Sequence, residues 1–247
     1  MLFRSLILFV ERLVFPTALL GFTLNSFQTG QVSLERVEEL LRREPEIQSP
    51  QHPQPLERPR PGTGAALEAR GLTLRYPNAQ PLALDGVSFR LEPGELVAVV
   101  GPVGCGKTPL VRAIGRMVEV PAGQLWLNGS DVTSVELESL RQQVALVPQE
   151  GFLFTAPLAD NLRYGDPEAE QAAVEQAAVQ ARLEADIRGF PDGYRTLVGE
   201  RGITLSGGQR QRTALGRALL VQAPLLVLDD ALASVDNKTA AAILEAD

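Results

Sequence analysis

The residues with the clearest chemical use form one stretch, Gly-Pro-Val-Gly-Cys-Gly-Lys-Thr at positions 101–108. The stretch fits the pattern GxxxxGK[ST], in which glycines allow successive backbone N–H groups to turn toward a polyphosphate. Lys107 is placed to reach the β- and γ-phosphates, and the hydroxyl of Thr108 is placed to ligate Mg²⁺. The predicted phosphate loop comprises Gly101, Pro102, Val103, Gly104, Cys105, Gly106, Lys107 and Thr108.

A carboxylate follows an apolar run at Leu225-Leu226-Val227-Leu228-Asp229. In a nucleotide-binding sheet this arrangement puts Asp229 beside the phosphate loop, where it holds Mg²⁺ through water. An apolar strand that ends in aspartate is common, so this pattern is informative only together with the loop. The two patterns predict a site for a nucleotide and a divalent cation.

A second candidate anion site occurs at Leu205, Ser206, Gly207, Gly208 and Gln209. A serine hydroxyl and two glycine amides at the start of a helix bind an anion, and the helix dipole adds to the attraction. The alternative is an ordinary helix N-cap, because serine is a favoured capping residue. Two anion sites on one chain suggest that two copies enclose a nucleotide between them.

Hydrophobic periodicity places these motifs on alternating strands and helices. Strands are predicted at 67–76, 87–91, 95–100, 124–127, 144–147 and 225–228. Helices are predicted at 109–117, 169–183, 208–221 and 237–246. The alternation indicates an α/β fold with a mostly parallel sheet covered on both faces, and the two early strands indicate an added antiparallel layer.

Residues 1–27 are apolar but carry three charged side chains, and the longest strongly apolar run is 13–24. That run is shorter than the ~20 residues that cross a bilayer, but the whole segment is long enough if its charges face protein or water. We expect the end of a transmembrane domain, with its last helix, over 1–30. A soluble core helix and a signal peptide are the alternatives, although no small-residue cleavage pattern follows.

Residues 32–43 have the period of an amphipathic helix. Six prolines follow within 45–64, a composition typical of a stiff, hydrated linker. We therefore expect an amphipathic helix and a linker over 31–64, and a separate domain over 65–247. The only histidine, His52, lies in this linker.

The composition narrows the classes of function. With 45% hydrophobic and 21% charged residues, the chain has enough apolar sequence for a folded core, which excludes disorder as its dominant state. The formal net charge of −7 argues against a nucleic-acid partner, because proteins that bind the phosphate backbone are usually basic. One cysteine and one histidine exclude an internal disulfide and a metal site built on several such residues.

Further motifs accompany the three described above in a definite order along the chain. In sequence they are Tyr76, the phosphate loop, Gln149 in Val147-Pro148-Gln149, the segment 205–209, Asp229 with Asp230, and Ser234-Val235-Asp236. This order resembles the ABC transporter ATPase family, and the resemblance covers Leu67 to the C-terminus. It implies a P-loop NTPase (RecA-like) core with an antiparallel β subdomain and an α-helical signature subdomain. The implied cofactors are ATP and Mg²⁺.

The resemblance also implies a role for each position. Tyr76 would stack on adenine, the signature at 205–209 would contact the ATP of a partner, and Asp230 would polarise the attacking water. Gln149 would link that water and Mg²⁺ to the membrane domain, which makes Gln149 and Asp230 the implied catalytic residues. The implied Mg²⁺ ligands are Thr108, Gln149 and Asp229, and the implied residues at the dimer interface are Ser234 and Asp236.

Two segments resemble the exporter branch of this family. Val198-Gly199-Glu200-Arg201-Gly202 is similar to the segment that touches the intracellular ends of transmembrane helices, and 31–37 is similar to the stretch that joins the last such helix to the ATPase. They imply the ATP-hydrolysing subunit of a multidrug or lipid exporter in the inner (cell) membrane, with a cytoplasmic ATPase domain and a second ATPase half as partner. The alternative is a soluble ABC ATPase that acts in DNA repair or translation.

Three departures from the family pattern bear on activity. Position 230 is aspartate where fully active members carry glutamate, which implies a weak hydrolytic site and an asymmetric heterodimer. Pro109 lacks a backbone N–H that otherwise reaches the α-phosphate. The family's switch histidine does not occur after Asp236, so we expect a C-terminally truncated ATPase domain that lacks normal turnover by itself.

Overall fold

A computed structural model describes residues 2–77, 81–199, 202 and 204–231. The chain divides into two compact units, Met1–Glu46 and Ile47–Asp247. The helix predicted at 237–246 and the positions Ser234 and Asp236 lie outside the described residues.

The first unit is built on one helix, α1 (Leu2–Arg42), which joins the predicted apolar span and the predicted amphipathic helix without a break. Pro16 lies inside it, and the next residue, Thr17, donates its hydroxyl to the carbonyl of Leu13 at 2.7 Å. By length and composition, Ile7–Arg42 is long and apolar enough to cross a membrane, with a mean hydropathy of 1.7 and none of the apolar window buried.

The second unit contains an antiparallel sheet of β1 (Leu67–Leu74), β2 (Leu84–Leu91), β3 (Leu125–Leu127) and β4 (Ser130–Asp131), in the order β2-β1-β3-β4. Alternate side chains of β1 are buried, but the alternation changes phase between Ala69 and Leu72, where the register with β2 shifts. Gly71 supplies a φ of 59° at this bulge, and its N–H donates to the Ser88 hydroxyl at 2.8 Å. The bulge keeps apolar residues of both halves of β1 on the buried face.

A first hydrophobic core, the sheet core, lies against this sheet. It includes Leu72 and Leu125 from the sheet, Leu110 from α2 (Lys107–Ile114) and Leu140 from α3 (Leu137–Arg141). The core therefore anchors the helix that follows the phosphate loop.

A parallel pair of strands joins β5 (Val144–Val147) to β8 (Leu225–Leu228). The described parallel sheet has these two strands and is narrower than the mostly parallel sheet that the sequence predicts. The strand predicted at 95–100 is wrong: this segment forms no strand, and Leu96 and Val100 are 74% and 88% exposed. Apolar sequence supplies only strand propensity, whereas a strand also needs hydrogen bonds to a neighbour, and 95–100 has none with the described strands.

A second hydrophobic core, the helical core, surrounds α7 (Gly207–Leu220). The elements around it are α4 (Leu158–Arg163), α5 (Gln171–Gln180), α6 (Glu184–Gly189) and β7 (Leu197–Val198), and β7 pairs with β6 (Ala156–Pro157). The helix predicted at 208–221 is α7 displaced by one residue, while the helix predicted at 169–183 is α5, shorter at both ends.

Residues 47–57, which their composition assigns to a hydrated linker, are hydrogen-bonded to later residues of the second unit. The Ser49 hydroxyl accepts the N–H of Leu137 at 2.9 Å, in the first turn of α3. The N–H of Gln54 donates to the carbonyl of Ser134 at 2.8 Å. Prolines prevent a helix here, so the Ser49 hydroxyl and the Gln54 N–H can bond to residues outside the segment.

We predict that Gly165→Ala destabilises the second unit. An added methyl group would overlap the carbonyl oxygen of Arg217 and lie 3.0 Å from Val221, and a backbone oxygen within a helix cannot move aside. We expect the free energy of unfolding to fall by about 1–3 kcal/mol in chemical denaturation. Gly189→Ala is the matched control, because nothing lies within 4 Å of its added methyl group. Equal effects of the two substitutions would contradict the prediction.

Candidate functional site

The phosphate-loop segment leads into α2 through two glycines with left-handed backbone. Gly104 has a φ of 82° and Gly106 a φ of 102°, a region that residues with a Cβ rarely adopt. A Cβ on Gly106 would also lie 2.7 Å from the carbonyl oxygen of Ala83. The backbone conformation therefore favours glycine at 104, and the close approach of Ala83 also requires it at 106.

The side chain of Lys107 lies over the loop that precedes it. Its Nζ donates to the carbonyl oxygens of Gly101 at 2.8 Å and Pro102 at 3.0 Å, and lies 3.9 Å from the sulfur of Cys105. Pro109 occupies the first turn of α2, where the helix itself does not use the missing N–H. The loop thus concentrates one ammonium group and one exposed thiol on a small surface.

Thr108 and Asp229, predicted as magnesium ligands, meet in the structure. The Thr108 hydroxyl donates to Oδ1 of Asp229 at 3.3 Å. Asp229 reaches this position because its N–H donates to the carbonyl of Val147 at 2.9 Å, which extends the parallel pairing beyond β8. A hydroxyl and a carboxylate are the oxygen ligands that Mg²⁺ prefers, so the pair fits this cation.

Gln149 and Asp230, the predicted catalytic positions, also lie together. Each follows one strand of the parallel pair, and the Gln149 Nε2 donates to Oδ2 of Asp230 at 3.5 Å. Asp230 has a φ of 52°, which aspartate tolerates better than most residues. The carboxyl end of the β5–β8 pair therefore collects the predicted magnesium and water-positioning residues at one edge.

Tyr76 lies two residues beyond the end of β1. Its ring is partly buried and packs against the sheet core, which also anchors α2. Within the part of the chain that the structure describes, Tyr76 forms no hydrogen bond with the phosphate loop.

The signature segment forms the start of α7, and the helix-cap interpretation of its serine is correct. The Ser206 hydroxyl oxygen accepts the N–H of Gln209 at 3.2 Å, and the Gln209 Oε1 accepts the N–H of Ser206 at 2.9 Å, which makes a capping box. Leu205 is buried, while Gly207 and Gly208 open the helix and are partly exposed. The same residues therefore cap the helix and present two glycine amides at its positive end.

Among the described residues of the exporter-like segment before the signature, 198, 199 and 202, the two glycines have local hydrogen bonds. Val198 ends β7, and the N–H of Gly199 donates to the Thr204 hydroxyl at 3.2 Å. The N–H of Gly202 donates to the carbonyl of Gly199 at 2.8 Å. Residues 200 and 201 lie outside the described structure.

Comparison with known proteins identifies this combination of motifs. A protein-family model described as "ABC transporter" matches residues 84–233, more than half of the chain. The chain belongs to the ABC transporter family. The match includes the phosphate loop, the signature and the Asp229–Asp230 pair, and it confirms the family predicted from the sequence.

Curated relatives of this ABC transporter chain match almost all of it. The Multidrug resistance-like ATP-binding protein MdlA of Escherichia coli (strain K12) is 36% identical over 240 residues, which is 97% of this chain and 40% of the relative. The ATP-dependent lipid A-core flippase of Aromatoleum aromaticum is 40% identical over 225 residues, 91% of this chain and 36% of the relative. The chain therefore spans well under half of the length of these relatives.

A solved structure confirms the fold of the ABC transporter chain. A bacterial Atm1-family ABC exporter with ATP bound matches 88% of this chain and 37% of its own, with a TM-score of 0.80 and 31% identity. The α/β fold of P-loop NTPases, with an antiparallel layer and a helical part, is therefore established for this chain.

Two polar residues that the motifs did not reveal hold the loop after Gln149 in this ABC transporter chain. The Asn161 Oδ1 accepts the N–H of Phe154 at 2.8 Å. Arg217 donates from Nε to the carbonyl of Asn161 at 2.9 Å and from Nη1 to the carbonyl of Phe152 at 3.0 Å. Burial lowers the pKa of Arg217. Because Asn161 and Arg217 lie 56 positions apart, no local sequence pattern predicts their contact.

We predict that alkylation of Cys105 blocks nucleotide binding. The thiol is exposed and lies 3.9 Å from the Lys107 ammonium, so an adduct would occupy the surface of the loop. Treatment with N-ethylmaleimide is expected to abolish binding of a fluorescent ATP analogue, and Mg-ATP is expected to slow the labelling. Cys105→Ala serves as the reagent-insensitive control, and undiminished binding by the labelled protein would refute the prediction.

Proposed function

We propose that this chain is the ATP-binding part of an ABC exporter, which hydrolyses ATP with Mg²⁺ and couples closure of two ATPase domains to export across the membrane. The observation that carries the proposal is the contact between Thr108 and Asp229 beside Lys107. It joins a hydroxyl, a carboxylate and an ammonium group at one helix start, as phosphoryl-transfer sites require. Bound Mg²⁺ would neutralise charge on the β- and γ-phosphates.

The residues of the chain take separate roles in this proposal. The loop 101–108 binds the phosphates through its N–H groups and Lys107, and Tyr76 stacks on adenine. Asp230 orients the attacking water together with Gln149, whose amide lies 3.5 Å from it. The proposed Mg²⁺ ligands are Thr108, Gln149 and Asp229.

A second ATPase half completes the proposed site. The phosphate loop leads into the sheet core, whereas the signature at 205–209 belongs to the helical core, and among the described residues no hydrogen bond joins the two segments. Because the two segments belong to different cores and no described hydrogen bond joins them, we infer that the positive end of α7 serves the nucleotide of a partner. Ser234 and Asp236 are proposed to cross the interface.

The transport role is supported by α1 and by the printed names of the relatives, which include a multidrug resistance-like protein and a flippase. In this proposal 1–30 ends a transmembrane domain, 31–64 is a helix and linker, and 65–247 is the ABC ATP-binding domain. The ATPase domain then lies on the cytoplasmic side of the inner membrane.

The decisive experiment compares Lys107→Ala with Arg112→Ala in the full-length protein. Lys107 contacts the loop, whereas Arg112 is exposed in the same helix. We expect Lys107→Ala to lower nucleotide affinity by about tenfold or more, because it removes charged hydrogen bonds to phosphate. We expect Arg112→Ala to leave the affinity unchanged.

A second experiment tests the membrane assignment by fractionation. The full-length protein should stay in the membrane fraction when the membranes are washed with salt or alkali. Release of the protein by either treatment would refute the exporter assignment.

We also propose that Asp230 makes this chain's own hydrolytic site weak and that its signature serves a different partner in a heterodimer. Aspartate is one methylene shorter than glutamate, and misplacement of a catalytic group by ~1 Å lowers rates by about 100-fold. Asp230→Glu is therefore expected to raise ATP turnover of the full-length protein alone by about tenfold or more. Vigorous turnover by the unaltered protein, abolished by Asp230→Ala, would contradict both statements.

A further inference from the structure

Asp186 lies in α6 with its carboxylate between two donors from α7. Its Oδ1 accepts from the Gln209 side-chain Nε2 at 3.0 Å, and its Oδ2 accepts from an Arg212 Nη2 at 2.7 Å. The Arg212 and Asp186 side chains are 13% and 22% exposed, so the ion pair is largely removed from water. A signature residue is thus held by a carboxylate that belongs to none of the motifs described above.

The same Gln209 side chain forms half of the capping box. Its Oε1 accepts the N–H of Ser206 at 2.9 Å, so the amide must present oxygen to Ser206 and nitrogen to Asp186. A carboxylate only accepts hydrogen bonds, and it therefore permits this one orientation of the amide. Because the Ser206 oxygen accepts the N–H of Gln209, its hydroxyl proton stays available for another acceptor.

We propose that Asp186 is a positioning residue of the signature, which fixes the Gln209 amide and thereby the Ser206 cap and the first turn of α7. The proposal rests on the proposed function, in which this turn meets a partner's nucleotide. A donor that is already oriented requires no rearrangement when the two ATPase halves close on the phosphates. Asp186 itself touches neither nucleotide nor reacting atoms.

Hydrogen-bond polarity distinguishes this role from simple packing. Asp186→Asn keeps the side-chain shape but leaves one acceptor, which the charged Arg212 takes, so that an amide N–H₂ faces Gln209. The Gln209 amide then turns, and its nitrogen opposes the N–H of Ser206. Gln209→Glu alone sets two carboxylates against each other. In the double variant the side chain at 186 donates to one carboxylate oxygen at 209, and the other oxygen accepts from Ser206, so the pattern is restored.

The test measures hydrogen exchange of the backbone amides 206–209 in the full-length protein without nucleotide. We expect Asp186→Asn and Gln209→Glu each to speed this exchange by about fivefold, the effect of losing a helix cap. The double variant should return to the rate of the unaltered protein. Glu184→Gln is the matched control, because Glu184 pairs with Arg188 within α6 and forms no hydrogen bond or ion pair with α7 among the described residues.

A second measurement links the cap to function. In Asp186→Asn we expect kcat for ATP to fall about fivefold, while the affinity of one copy for a fluorescent ATP analogue stays unchanged. Equal exchange rates in all variants, or a double variant worse than either single one, would overturn the positioning role. Absence of nucleotide binding by the unaltered protein would instead overturn the proposed function, so the two failures appear in different measurements.

Discussion

Four aligned residue pairs set the parallel register of β5 and β8, from Val144 opposite Leu225 to Val147 opposite Leu228, and the candidate site depends on that register. The next hydrogen bond in the series, from the N–H of Asp229 to Val147, puts the carboxylate within reach of Thr108. A slip of one residue would turn the Asp229 side chain to the opposite face of the sheet.

Each of the two hydrophobic cores anchors a different helix of the candidate site. The sheet core anchors the helix that follows the phosphate loop, and the helical core anchors the signature helix. Each core buries its own apolar face, so each candidate anion-binding segment has independent support. This division explains how one chain presents two such segments without joining them to one another.

The helix α7 connects several of the polar networks described above. Near its start, Gln209 bonds to Ser206 and Asp186. Near its end, Arg217 donates to the carbonyl of Asn161 in α4 and to the carbonyl of Phe152 in the loop that follows Gln149. A helix is stiff along its axis, so the signature and that loop are tied to one body.

Local chemistry allowed much of the protein to be predicted. The phosphate loop, the signature cap and most strands and helices follow from glycine spacing, capping residues and hydrophobic period, which act over a few positions. The bulge at Gly71 and the failure of 95–100 to form a strand did not follow, because both depend on what a neighbouring strand offers.

The sequence by itself determined the family, the fold class and the identity of the candidate site residues. Only the tertiary structure decided which of them meet: Thr108 with Asp229 across 121 positions, and Gln209 with Asp186 across 23. Such pairs depend on strand register and helix packing, which sum many weak contacts over the whole domain. Short sequence motifs do not carry this information. They identify the polar side chains of the candidate site but not the residues that those side chains contact.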